Sequence, residues 1–319
     1  MLLDILFVVV GAAMVLFGAD RLTDGAVAIA RRFGLPEIVI GLTIVALGTS
    51  LPEFIVSLVS AINGSGDMSI GNIVGSNIFN TMLIVGATAI VLPISVAPST
   101  VSKDIPFMLL ASVAVPALAL DALISDGSTN MLDRGDGIAL LGFMAVFITY
   151  TLAMAKRDKQ PVEATAGTAL LIPLWRAMLY IVFGLAGLIL GGEAFVDGAT
   201  GIARSLGVSD AVIGLTLVAG GTSLPELATS IVAARKGQSD IAIGNVIGSN
   251  MFNAFGILGA CSLFTPLAVG GVSWVDFAML AIGTALFWLF ARTQLKVLRW
   301  EGGVLVAVFL IYMSWLVIR

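Results

Sequence analysis

No histidine occurs among the 319 residues, cysteine occurs once, at Cys261, and only 11% of the chain is charged. Each scarcity excludes something. Without imidazole and with one thiol, the chain has no ligand set for zinc, copper or iron, and no intrachain disulfide can form. Basic runs long enough for nucleic acid are missing, the formal net charge is only −4, and no Gly-x-x-x-x-Gly-Lys-Ser/Thr loop for a nucleotide is present. What is abundant is apolar surface: 59% of residues are hydrophobic and the mean hydropathy is +1.08, outside the range of soluble domains.

The chain therefore reads as an integral membrane protein. Ten apolar stretches long enough to cross about 30 Å of hydrocarbon fall at 3–30, 37–62, 69–93, 104–121, 137–155, 174–202, 210–234, 242–266, 274–291 and 302–318. Continuous runs of this length fit helices and not the alternating segments of a barrel. The first run follows Met-Leu-Leu-Asp-Ile with no basic region and exceeds a signal-peptide core, so it reads as the first span. When loops are assigned alternately to the two faces, twelve Lys and Arg residues fall on one side, and only Arg134, Arg204 and Arg319 on the other. The positive-inside rule makes the richer face cytoplasmic and places both termini outside.

Glycine and proline are placed with purpose. Residues Gly41 to Asn80 recur without a gap as Gly214 to Asn253, at an offset of 173, with 24 of 40 positions identical. Each copy carries Gly-Thr-Ser-Leu-Pro-Glu, so Pro52 matches Pro225 and Glu53 matches Glu226. Five spans per half oblige the second half to enter the membrane from the opposite side. The expected fold is all-α: ten transmembrane helices forming two inverted five-helix repeats, residues 1–155 and 174–319, joined by a cytoplasmic connector at 156–173. The proline rings interrupt helices 2 and 7, around Gly48 to Leu51 and Gly221 to Leu224.

Close packing would account for the glycines but not for the glutamates, each of which costs on the order of 2.5–3.5 kcal/mol at membrane depth. Carbonyls freed at the two breaks lie beside Thr49, Ser50 and Glu53, and beside Thr222, Ser223 and Glu226. The following helix of each half adds Ser76 with Asn80, and Ser249 with Asn253, at i, i+4 spacing and hence on one face. These groups make an all-oxygen site of two negative charges, suited to a hard cation such as Ca²⁺. Two glutamates neutralise one Ca²⁺ or are shared by several Na⁺ ions, and competition for one set of oxygens yields exchange.

The paired Gly-Thr-Ser-Leu-Pro-Glu segments, each followed by Gly-Asn-x-x-Gly-Ser-Asn-x-Phe-Asn, resemble the two α-repeats of the sodium/calcium exchanger family, within the cation/calcium antiporter superfamily. The resemblance implies a prokaryotic-type antiporter in the inner (plasma) membrane that trades Ca²⁺ for Na⁺ by alternating access. It implies that Glu53 and Glu226 ligate Ca²⁺, that carbonyls at Ala46, Thr49, Ala219 and Thr222 contribute, and that Ser50, Ser76, Ser223 and Ser249 help hold Na⁺, with Asn80 and Asn253 completing the set. It also implies that the first and sixth helices slide as gates outside a four-helix core. Some exchangers carry aspartate where this chain has Asn253, and an amide can ligate but holds neither charge nor proton. No cofactor beyond the transported ions, no nucleic acid and no obligate protein partner is expected; the lipid bilayer is.

Other readings stay open at this point. Buried glutamates can trade a cation for protons, so Ca²⁺/H⁺ antiport is the nearest competitor, with K⁺-dependent exchange beside it. A cation channel uses acidic rings too, though usually from several subunits. An intramembrane hydrolase is the weakest, for lack of a nucleophile and base at usable spacing. Asp20 with Asp24, and Glu193 with Asp197, align across the repeat and read as solvated helix ends; Arg21 reads as snorkelling to the interface, and Trp274, Trp288, Trp300 and Trp315 as interfacial anchors.

Overall fold

The computed structural model describes residues 1–124, 129–157, 172–207 and 219–318. Among these, eight helices are long and apolar enough to cross a membrane, and a pair of helices bent by 48° makes a ninth crossing. The order is α1 (Leu2–Phe33), the bent pair α2 (Glu37–Thr49) and α3 (Leu51–Ile62), α4 (Gly66–Val91), α5 (Thr100–Ala119) and α6 (Arg134–Arg157). Then follow α7 (Leu174–Ser205), α8 (Leu224–Arg235), α9 (Ser239–Phe264), α10 (Trp274–Gln294) and α11 (Arg299–Ile318). The span expected at 210–234 is seen as α8 preceded by one helical turn, Ala219–Gly221; residues 208–218, like 158–171 of the connector, lie outside the described residues.

Several helices begin three residues earlier than hydropathy suggests. α4, α6 and α9 start at Gly66, Arg134 and Ser239, and each carries an aspartate in its first turn: Asp67, Asp136 and Asp240. Hydropathy counts those acids as loop, but the positive end of the helix dipole favours them there.

The layering follows burial. In the most apolar 18-residue window, 72% of α4 and 89% of α9 is buried, against 22% of α1 and 28% of α7 and of α11. α4 and α9 are therefore the central helices, and α1 and α7 lie against the outside as an antiparallel pair. Their seam is made of glycine at heptad spacing, Gly11, Gly18 and Gly25 against Gly184, Gly191 and Gly198. A Cβ on Gly18 would stand 2.7 Å from the Gly184 carbonyl oxygen, and one on Gly184 would stand 2.6 Å from the Leu22 amide nitrogen, so only glycine permits this approach.

Two-residue strands staple the loops. β1 (Ile94–Ser95) pairs antiparallel with β4 (Lys296–Val297), and β2 (Met131–Leu132) with β3 (Leu267–Ala268), tying the halves to each other at both ends of the bundle. Hydropathy carries no signal for them. Two side chains behave otherwise than expected. The Trp288 indole donates to the Val101 carbonyl at 2.8 Å, which makes it a tie between α10 and α5 more than an interfacial anchor. Arg21 lies 5.0 Å from the Phe17 ring centre and 5.3 Å from that of Tyr180, a cation-π stack bridging α1 and α7.

Candidate cation-binding site

The two breaks have the same geometry. Ser50 leaves the helix at φ −82°, ψ 7°, and Ser223 at φ −92°, ψ 8°. Pro52 and Pro225 are then second residues of new helices, where the missing N–H costs nothing. The break on the first side is narrower than Gly48 to Leu51: helix persists through Thr49, and the Ser50 amide still donates to the Ala46 carbonyl at 3.0 Å. Because α3 and α8 restart here, Glu53 and Glu226 sit in a first turn, where free amide groups and the helix dipole favour a carboxylate. A glutamate inside an unbroken helix would lack that support.

Each glutamate is held by the other repeat. The Ser223 hydroxyl donates to Glu53 Oε1 at 2.9 Å, and the Ser50 hydroxyl donates to Glu226 Oε1 at 3.0 Å; Ser249 adds a longer contact to the same Glu226 oxygen, 3.5 Å. Both glutamates, Ser50, Ser223, Ser249, Asn80 and Asn253 are fully buried, and Ser76 nearly so at 2% exposure. Thr49 donates to Asn245 Oδ1 at 3.1 Å and makes a longer contact to the Ala46 carbonyl, 3.4 Å, so that carbonyl is already engaged. Thr222 sits in the turn between Ala219–Gly221 and α8, with Ala219 opening the short helical segment.

Two asparagine pairs that the motif contains, but that sequence reasoning did not single out, build the walls. Asn72 donates to the Glu53 carbonyl (3.3 Å) and Ser57 (2.9 Å); Asn245 does the same for the Glu226 carbonyl (3.3 Å) and Ser230 (3.1 Å). These amides tie the restarted helices α3 and α8 to α4 and α9 beside the glutamates. Asn77 and Asn250 join the halves: Asn77 Nδ2 donates to the Asn250 carbonyl at 3.2 Å, and Asn250 Nδ2 to Thr81 Oγ1 at 2.7 Å. The signal for all of these was available, since Asn72, Asn77, Asn245 and Asn250 are identical at matched places in both copies.

Asn80 and Asn253 each occupy the second position of a wide π-helical turn, Phe79–Ile84 and Phe252–Ile257, again at matched places. Such turns recur where a helix re-aims a functional side chain. Ten buried side-chain atoms among the described residues lack a hydrogen-bond partner; five are site oxygens, namely Glu53 Oε2, Glu226 Oε2, Ser76 Oγ, Asn80 Oδ1 and Asn253 Oδ1. Buried oxygens without partners cost about 1–3 kcal/mol each, more if charged, so five of them on residues of the two repeat motifs call for a compensating guest. An all-oxygen set with two carboxylates suits Ca²⁺ or Na⁺ and offers nothing to a soft metal.

A family model described as sodium/calcium exchanger protein matches residues 3–153 and 176–318. The chain belongs to the sodium/calcium exchanger family. It is 37% identical to the putative antiporter CaxA of Alkalimonas amylolytica over 98% of both chains. It is 34% identical to the sodium/calcium exchanger MaX1 of Methanosarcina acetivorans over 99% of this chain and 98% of that one. A solved structure of the sodium-calcium exchanger NCX_Mj, soaked with zero Na⁺ and Ca²⁺, superposes with a TM-score of 0.84 at 35% identity, covering 98% of this chain and 99% of the other. The protein is thus an all-helical, multi-pass membrane protein of an exchanger family, which is a family of transporters and not of enzymes.

Proposed function

We propose that this exchanger moves Ca²⁺ in one direction and Na⁺ in the other, by alternating access, through one all-oxygen site at the bilayer midplane. The observation that carries the reading is the set of five unpartnered buried oxygens, drawn from both repeats around two glutamates that each accept a hydrogen bond from the opposite repeat. The ligands are Glu53, Glu226, Ser50, Ser223, Ser76, Ser249, Asn80 and Asn253, with Thr49, Thr222, Ala46 and Ala219 forming the breaks that aim them. Two carboxylates balance one Ca²⁺ electrostatically, and hydroxyl and amide oxygens at the same place suit Na⁺.

The architecture is two inverted five-helix halves, 1–155 and 174–319, with the 156–173 connector cytoplasmic and both termini outside. α1 and α7, locked to each other through their glycine seam, are the moving elements and shift as one pair against the α2–α4 and α8–α9 core. In reconstituted vesicles a Na⁺ gradient alone drives ⁴⁵Ca²⁺ uptake, and collapsing the pH gradient leaves it intact. Uptake that follows the proton gradient instead would assign Ca²⁺/H⁺ exchange, and single-channel currents in a planar bilayer would overturn antiport altogether.

A further inference from the structure

Asn80 and Asn253 are each a carboxamide with two nearly interchangeable ends, an oxygen that can ligate a cation and an NH₂ that repels one. Something must fix which end faces the guest. Asn253 Nδ2 donates to Asn77 Oδ1 at 3.0 Å, and Asn80 Nδ2 donates to Asn250 Oδ1 at 3.1 Å, each bond crossing from one repeat to the other. With both NH₂ groups tied, the atoms left over are Oδ1 of Asn80 and Oδ1 of Asn253, the two amide oxygens among the unpartnered set.

We infer that Asn77 and Asn250 are positioning residues, which orient Asn253 and Asn80 so that each presents its oxygen to the transported cation. The inference rests on the site reading above. Asn77 and Asn250 are not among the residues with an unpartnered side-chain atom to offer a cation directly. Their own orientation is set in turn, because Asn77 Nδ2 is committed to the Asn250 carbonyl and Asn250 Nδ2 to Thr81 Oγ1, which leaves each Oδ1 as an acceptor facing the next amide. With Asn77 Oδ1 as acceptor, the Asn253 amide is a fitting donor, whereas an ionised carboxylate there would place oxygen against oxygen. Asn77 and Asn250 are 3% and 2% exposed, so water does not replace the lost partner cheaply.

The experiment is a double-variant cycle on Ca²⁺ flux in proteoliposomes. Asn77→Ala raises the apparent KM for Ca²⁺ about tenfold or more, as loss of an outer partner of a metal ligand does, with a much smaller change in rate at saturating Ca²⁺. Asn253→Ala raises KM too, and Asn77→Ala added to it has no further effect, since the residue through which Asn77 acts is gone. Asn250→Ala behaves likewise with Asn80→Ala. Additive effects in both cycles, or an unchanged KM in Asn77→Ala, would overturn the inference. So would equal losses of melting temperature with and without Ca²⁺, the mark of a merely structural role. Asn77→Leu, close to asparagine in shape but unable to accept a hydrogen bond, also raises KM; an unchanged KM in it sinks the proposal even if the alanine variants do not fold. If Asn253→Ala itself leaves KM untouched, the ligand assignment fails and not only the positioning role.

Discussion

Ser50 and Ser223, at matched places in the two halves, leave helical geometry with ψ of 7° and 8° and reach across to each other's glutamate at 3.0 and 2.9 Å. The residues that end the same two helices, Asn63 and Lys236, differ in kind. Lys236 Nζ lies 2.7 Å from both Asp20 Oδ1 and Asp24 Oδ1 and 3.0 Å from the Asp20 carbonyl, which clips the end of α8 to α1. The matching acids on α7, Glu193 and Asp197, have no such cation within reach among the described residues. Symmetry is thus kept where the two glutamates are held, and relaxed at the periphery, where the end of α8 meets α1, the outer helix of the other half. The acid pairs read from sequence as plain solvated ends are alike in position but not in role.

That comparison can be broken at its strongest point first. Glu53→Gln and Glu226→Gln each remove half the countercharge, and each lowers Ca²⁺ flux by roughly a hundredfold or more, equivalent to about 3 kcal/mol, with protein level and detergent stability kept. Full flux in either variant would end the equivalence of the halves. Next, Ser50→Ala and Ser223→Ala each delete one hydrogen bond to a carboxylate, worth about 1.5–3 kcal/mol, and raise the Ca²⁺ KM by similar factors; a large disparity would mean that the two glutamates bear unequal loads.

Smaller effects sharpen the contrast at the periphery. Gly18→Ala and Gly191→Ala are matched, since each new Cβ would stand 2.7 Å from a neighbour, the Gly184 carbonyl oxygen and Met14 Cβ respectively. Each is expected to lower thermal stability by about 1–3 kcal/mol, measurable as a fall in the detergent melting temperature. The smallest effect is at the clip. Lys236→Asn costs about 0.2–1 kcal/mol, fades at high salt and leaves the Ca²⁺ KM unchanged, whereas Asn63→Lys should create a second clip on Glu193 and Asp197. A melting temperature in Asn63→Lys that does not respond to salt would show that the outer helices are not related by the symmetry of the motif.

Much of this was legible before any coordinates. Glu53 and Glu226 stood out because charge at membrane depth is costly and occurred twice at the same place; Pro52 and Pro225 announced the breaks because a ring without N–H cannot continue a helix. The asparagines of the walls did not stand out, because an uncharged amide costs less to bury and its meaning lies in a partner. Asn77 and Asn250 are 173 residues apart, and Lys236 lies 216 residues from Asp20. Trp288 was misread for the same reason: a tryptophan near a span end suits an interface equally well until the Val101 carbonyl is seen opposite it.

By itself, the order of residues determined that this chain lives in a membrane, that it is built twice over, and that each copy breaks a helix beside an acid. Those are local consequences of hydropathy, ring geometry and charge. Only the tertiary structure decided which oxygens are spent on each other and which are left over, that Glu53 answers to Ser223 and Glu226 to Ser50, and that among the described residues α1 is clipped to α8 while α7 has no such clip. Hydrogen bonds and ion pairs act over about 3 Å of space, whatever the length of chain between their ends.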